Sequence, residues 1–89
     1  MSKSNFFFEL YFSDLDLESQ KVLQYLRENR IEFVGKDVSS DIVHLQKLYL
    51  MSGKKDVPCL FVNGEIFEGA ADILVFLELY MKMYSSLSE

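Results

Sequence analysis

A second cysteine is missing from these 89 residues, and that absence excludes more than any other. Cys59 alone cannot close an internal disulfide, form a dithiol redox pair or build a Cys-rich zinc site. A lone thiol fits a reducing compartment, so the cytoplasm is the expected location. Proline is as scarce, with Pro58 alone, and there are four glycines. With no low-complexity run either, the chain reads as folded. Basic charge is in short supply: nine Lys and Arg face fourteen Asp and Glu, for a net charge of −5. The one basic doublet is Lys54-Lys55. Nucleic acid and anionic membranes are therefore not expected partners. No uncharged apolar run reaches the ~18 residues that a membrane helix needs. The opening MSKSNFFFELYF is not read as a signal peptide, because Glu9 interrupts the apolar run and Ser13-Asp14 follows it. Zinc spacing, an EF-hand loop, a phosphate loop and a Ser-His-Asp arrangement are all missing, so no metal site is expected.

What is present is core material. Hydrophobic residues make up 49% of the chain, with eight Phe and five Tyr. Residues 1–89 are expected to form one domain. The aromatic run 6–12 predicts a strand buried on both faces. Ser13 to Asp16 offer helix starters with Glu18 in the first turn, and Val22, Leu23 and Leu26 recur at helical spacing as far as Asn29-Arg30. A second short strand is expected over 31–34, closed by Gly35. Ser39, Ser40 and Asp41 can cap a second helix whose buried stripe is Ile42, Leu45, Leu48 and Tyr49, with Gly53 as its stop. A strand over 57–62 carries Pro58 at its start. Asn63-Gly64 is a hairpin signal, and 65–67 returns antiparallel. A last helix runs from Ala70 to about Ser85. The order β-α-β-α-β-β-α gives an α/β fold with a four-stranded mixed sheet and helices on both faces.

With that order, the sequence around Pro58 resembles the glutaredoxins, a branch of the thioredoxin fold. Three signals carry the resemblance over nearly the whole chain. Ser52-Gly53-Lys54-Lys55-Asp56-Val57-Pro58 is similar to the family's S-G-x-[RK]-T-V-P. Leu60-Phe61-Val62-Asn63-Gly64 is similar to its apolar strand and hairpin, and Gly69-Ala70-Ala71-Asp72-Ile73 to its G-x-x-D-L. The resemblance implies a thioredoxin-like, glutaredoxin-type fold, a cis peptide before Pro58 and glutathione as ligand. Val57 would then offer its backbone to the ligand like an added strand. Lys55 would face a ligand carboxylate, and Ala71 and Asp72 would receive the γ-glutamyl end.

The family's catalytic cysteines have no counterpart. Counting from the first strand, the stretch that matches C-x-x-C is Asp16-Leu17-Glu18-Ser19, with Asp14 or Leu15 as the alternative matching position, and the position of the helper lysine holds Ser13; none of these is cysteine. Thiol–disulfide exchange needs a thiolate to attack sulfur, which a carboxylate cannot do. Asp14, Asp16 and Glu18 also make the site acidic. A like-charge pair at contact distance in a partly exposed site costs ~1–4 kcal/mol, which weakens the case for a dicarboxylate ligand.

The expectation is a glutaredoxin-like domain without disulfide reductase activity: a binding or interaction module whose glutathione or peptide groove is degenerate. The alternative is a glutathione-dependent enzyme. It could be similar to the N-terminal domain of glutathione transferases, with Ser13 or Ser19 as the functional hydroxyl, or a one-cysteine reductase using Cys59. Cys59 itself reads as a small buried core residue and His44 as an exposed helix residue. In the last helix, Ile73, Leu77, Tyr80 and Tyr84 suffice for a core stripe. Val75, Leu79 and Met83 form a second apolar stripe, either wedged between layers or offered to a protein partner or a second copy.

Overall fold

The computed structural model describes residues 6–87, with side chains through Tyr84. The elements are β1 (Phe8–Phe12), α1 (Leu17–Glu28), β2 (Val34–Asp37), α2 (Ile42–Ser52), β3 (Cys59–Val62), β4 (Glu65–Glu68) and α3 (Ala70–Leu87). Sheet order is β2-β1-β3-β4, with β1 and β2 parallel and the other pairs antiparallel. This is the expected element order and mixed sheet.

Alternation along the strands divides the core in two. Phe8 and Leu10 of β1 and Leu60 and Val62 of β3 face α1 and α3, where they meet Val22, Leu23, Leu26, Ile73 and Leu77. Tyr11, Cys59 and Phe61 face the other way, against Leu48 of α2. Between β3 and β4, Asn63 (φ 50°) and Gly64 (φ 94°) both take positive φ, as a two-residue hairpin turn demands. Asn63 also ties back to the segment before β1: its Oδ1 accepts from Phe7 N at 2.8 Å. Phe6 and Phe7 themselves lie outside the ladder expected to begin at Phe6.

Three expectations are corrected. The second strand lies at Val34–Asp37, not at 31–34. Residues 29–31 are used to end α1 instead. Arg30 adopts a left-handed φ of 54°, its N–H donates to Arg27 O at 3.1 Å, and Ile31 N donates to Leu26 O at 2.9 Å. This is a Schellman ending, with buried Ile31 as its apolar residue and an arginine where glycine is usual. The α2 stripe is also different. Leu48 alone is fully buried, Leu45 is half-buried, and Ile42 and Tyr49 are exposed. A single helix lying over the Tyr11 side of the sheet has room for only one row of inward side chains. Finally, His44 is half-buried, with Nε2 3.7 Å from Asp41 Oδ2.

α3 runs to Leu87, two residues past the expected end. Its inner face holds Ile73 and Leu77, with Tyr80 and Tyr84 half-buried. Tyr80, Phe76, Phe67, Phe8 and Phe6 make a ring cluster with centroid separations of 4.5–6.5 Å. The stripe Val75, Leu79 and Met83 is not wedged between layers; all three side chains are exposed.

Candidate functional site

The C-terminal end of β1 feeds a short turn into α1. Asp16 N donates to Ser13 O at 3.0 Å, which closes the turn, and Asp16 is the N-cap of α1. Its Oδ2 accepts from Ser19 N at 2.8 Å and from the Ser19 hydroxyl at 2.9 Å. The same hydroxyl oxygen accepts from Ser13 N at 3.2 Å. Asp16 and Ser19, the two ends of the stretch expected to stand for C-x-x-C, are therefore joined to each other. Ser19 is fully buried, whereas Asp16 is half-buried at the mouth of the helix. An N-cap carboxylate satisfies an orphan helix donor and complements the positive end of the helix.

The turn is braced from two sides. Gln20 Nε2 donates to Asp14 O at 2.9 Å and to Asp14 Oδ1 at 3.2 Å. From the end of β2, Asp37 Oδ1 accepts from Ser39 Oγ at 2.6 Å and Ser39 N at 2.9 Å, and at 3.4 Å from Asp14 N. The Ser39 hydroxyl, together with backbone donors of Ser39 and Asp14, holds the Asp37 carboxyl below its usual range against the opposing effect of desolvation. An Asp two residues before a Ser is the local signal for this turn, and sequence reasoning passed over it. Leu15 and Leu17, between the carboxylates, are almost wholly exposed.

Opposite this turn lies Pro58. The Val57–Pro58 peptide bond is cis. Tyr11 pairs with Cys59, so continuing that antiparallel register sets Val57 across from Ser13. The N–H and C=O of Val57 form no hydrogen bond among the described residues. Pro58 O accepts from Gly69 N at 3.1 Å, which brings the start of α3 to the same place. Gly69 has φ 88° and its carbonyl receives Ile73 N, so Ala71 and Asp72 occupy the first turn of α3. Both are exposed. The structure thus brings together Ser13, Asp16, Ser19, Val57, Pro58, Ala71 and Asp72 around one end of the sheet.

The lysines lie differently. Lys54 Nζ pairs with Glu68 Oε1 at 3.2 Å. Lys55 Nζ sits 5.9 Å from the centre of the Tyr49 ring and lines a shallow surface groove with Ile42, Leu45, Gln46 and Tyr49 of α2. Neither cation is therefore free of a neighbour within the chain.

Cys59 is buried, at 1% exposure, on the α2 side of the sheet. Burial pushes its thiol up to about 11, with a smaller push from the Glu68 carboxylate. Its neighbour Tyr11 is fully buried, and among the described residues its hydroxyl has no hydrogen-bond partner. Lys36, 5.5 Å from the centre of the Tyr11 ring, pairs with Glu9 Oε2 at 3.3 Å. Desolvation lowers the Lys36 pKa, but the hydrogen bond to Glu9 and favourable electrostatics from its surroundings outweigh it and the net shift is upward. This partly buried group was not foreseen, because parallel β1–β2 pairing alone makes Tyr11 and Lys36 neighbours.

Among the described residues no three His, Cys, Asp or Glu side chains are arranged to hold a metal ion, and no helix is long and apolar enough to cross a membrane.

Comparison with solved structures places the same architecture elsewhere. Wheat glutaredoxin superposes with a TM-score of 0.66 at 15% identity, over 80% of this chain and 70% of that one. A point mutant of the thioredoxin-like protein BC3987 superposes with a TM-score of 0.64 at 21% identity, over 70% of this chain and 84% of that one. Likeness at these identities speaks for the fold. Comparison with curated proteins gave no match. The glutaredoxin family profile matches residues 18–67, more than half of the 89 residues, and its match begins two residues after Asp16. By that match, carried on a four-stranded mixed sheet of the thioredoxin type, the chain belongs to the glutaredoxin family.

Proposed function

We propose that this chain is a non-catalytic member of the glutaredoxin family, a binding module that keeps the family's groove without its thiol chemistry. The observation that carries this reading is the Asp16–Ser19 pair. The two positions where exchange chemistry needs sulfur hold a carboxylate and a hydroxyl bonded to each other at 2.9 Å. Neither can attack a disulfide. The groove is supported by the unpaired backbone of Val57, which suits an extended ligand added like a strand. Ala71 and Asp72, on the first turn of α3, would take the ligand's amino end, and Lys55 its far carboxylate. Glutathione is then a weak ligand. Lys54 is already engaged with Glu68, and Asp14, Asp16 and Glu18 add negative charge where a dicarboxylate would lie.

The enzymatic alternatives find little support. A transferase hydroxyl must be free to meet a bound thiolate. Ser19 Oγ is buried and donates to Asp16, and Ser13 Oγ accepts from Leu15 N at 3.2 Å. A reductase using Cys59 would need an exposed, ionised thiol, and Cys59 has the opposite environment.

The test is a glutathione titration followed on the Val57 and Asp72 amides, together with reduction of a glutathionylated peptide by the wild-type chain. Weak, saturable shifts at those amides and no turnover above background are expected. Catalytic turnover by the wild type would end the non-catalytic reading.

A further inference from the structure

The outer face of α3 stands apart from the groove reading. On this helix Ile73 and Leu77 are fully buried, while Val75, Leu79 and Met83 are 58%, 55% and 61% exposed. Asp72 and Lys82 lie on the same outer side, and neither has an ion pair or hydrogen bond among the described residues. The outward residues Asp72, Val75, Leu79 and Lys82 are spaced three, four and three apart. That is the spacing of a coiled-coil seam, with two apolar positions between an acid at one end and a base at the other.

We infer that this face pairs with α3 of a second copy of the chain, antiparallel, about a two-fold axis at the level of Leu77. The charge pattern selects the occupant. Residues equally far from Leu77 share a level in such a pair. Val75 then meets Leu79 of the second copy, and Leu79 meets its Val75. At both ends Asp72 meets Lys82. A two-fold interface must be complementary to itself, and this order of acid, apolar, apolar, base is. A parallel pair would set Asp72 against Asp72 and Lys82 against Lys82, which is repulsive at both ends. Met83 of the second copy comes beside the shallow groove lined by Phe67, Asp72, Val75 and Phe76, on the same side of the seam. Asp72 is also the carboxylate assigned above to a ligand's amine, so pairing of α3 and occupation of the groove compete for it.

The experiment uses the ligand-free full chain. Sedimentation equilibrium should show a monomer–dimer equilibrium at concentrations up to about 1 mM, as an interface this small gives a weak association. Leu79→Glu should abolish the dimer. Asp72→Lys and Lys82→Asp should each weaken it by about tenfold, because either change spoils both charged layers. The double reversal Asp72→Lys with Lys82→Asp should restore it. All three sites are exposed, and far-UV circular dichroism of each variant should match the wild type. In the wild type, with no substitution at all, concentration-dependent amide shifts should centre on residues 72–83. A monomer at every concentration overturns the inference. So does a dimer that Leu79→Glu leaves intact, a double reversal that fails to restore pairing, or shifts centred away from α3.

Discussion

Replacing Asp16 by cysteine tests whether only the chemistry has been lost from a working scaffold. The substitution removes the N-cap of α1, whose Oδ2 accepts from Ser19 N at 2.8 Å and Ser19 Oγ at 2.9 Å. Loss of such a cap costs ~1 kcal/mol, and for a domain of this size that lowers Tm by ~4–8 °C. The new thiolate would sit at the same helix end, where the helix field is worth about 0.3–1 kcal/mol. At ~1.4 kcal/mol per unit this lowers a cysteine pKa of ~8.5 to about 8, so roughly a quarter of the thiol is ionised at about pH 7.5. Asp14 and Glu18 oppose even that shift. In the assay the introduced thiolate attacks the glutathionyl sulfur of a glutathionylated peptide and the peptide thiol leaves. A second glutathione thiolate then regenerates the protein thiol and releases oxidised glutathione. Asp16→Cys should show measurable glutathione-dependent turnover where the wild type shows none. Adding Ser13→Lys, which restores a cation beside the thiol, should raise turnover and lower the thiol pKa further. If the doubly substituted chain folds, labels readily at its new thiol and still neither binds glutathione nor turns over, the groove has been lost and the scaffold argument fails.

Three further outcomes follow from the packing. Cys59 should react slowly with a thiol reagent in the folded protein, and its raised pKa sets a sign for alkaline stability: the unfolded chain releases this proton from about pH 9, the folded one only near 11, so stability falls across that window by roughly 2 kcal/mol. The difference in unfolding free energy between the wild type and Cys59→Ala should shrink from pH 8.5 to 11, and parallel curves would refute this. Leu48→Ala removes the one fully buried side chain that α2 places on the sheet and should cost ~2–5 kcal/mol in urea unfolding, a loss that a change under 1 kcal/mol would contradict. Arg30→Gly relieves a left-handed arginine at the end of α1 and should stabilise the chain by about 0.5–1 kcal/mol, whereas destabilisation would show that the Arg30 side chain has a role that the backbone geometry does not explain.

Much of the site was legible because its chemistry is local. Asp16 as a cap needs only its own helix start, and the missing thiols are a matter of spelling. Pro58, Gly69 and Asp72 keep the family's spacing, so the corners of the candidate site could be named from the sequence. The second strand was misplaced because 31–34 is apolar enough to be a strand. Whether Ile31 serves a strand or a helix ending is settled by the left-handed turn at Arg30, where nothing in the local sequence announces a glycine-like conformation. The α2 stripe failed for a related reason. Periodicity marks which residues share a face, but not how much of that face the sheet beneath can cover.

By itself the sequence determined the element order, the hairpin at Asn63-Gly64, helix starts within 13–16 and 39–41, and the lack of a C-x-x-C pair. Each depends on hydrogen bonds or atoms within a few residues. Tertiary structure decided what depends on distant neighbours. It set Lys54 against Glu68 and Lys55 beside Tyr49 rather than leaving both free for a ligand. It buried the Tyr11 hydroxyl without a hydrogen-bond partner among the described residues and raised the Cys59 thiol pKa. It also left Val75, Leu79 and Met83 exposed among the described residues, because α3 packs against the sheet and α1 through Ile73 and Leu77 on its other face.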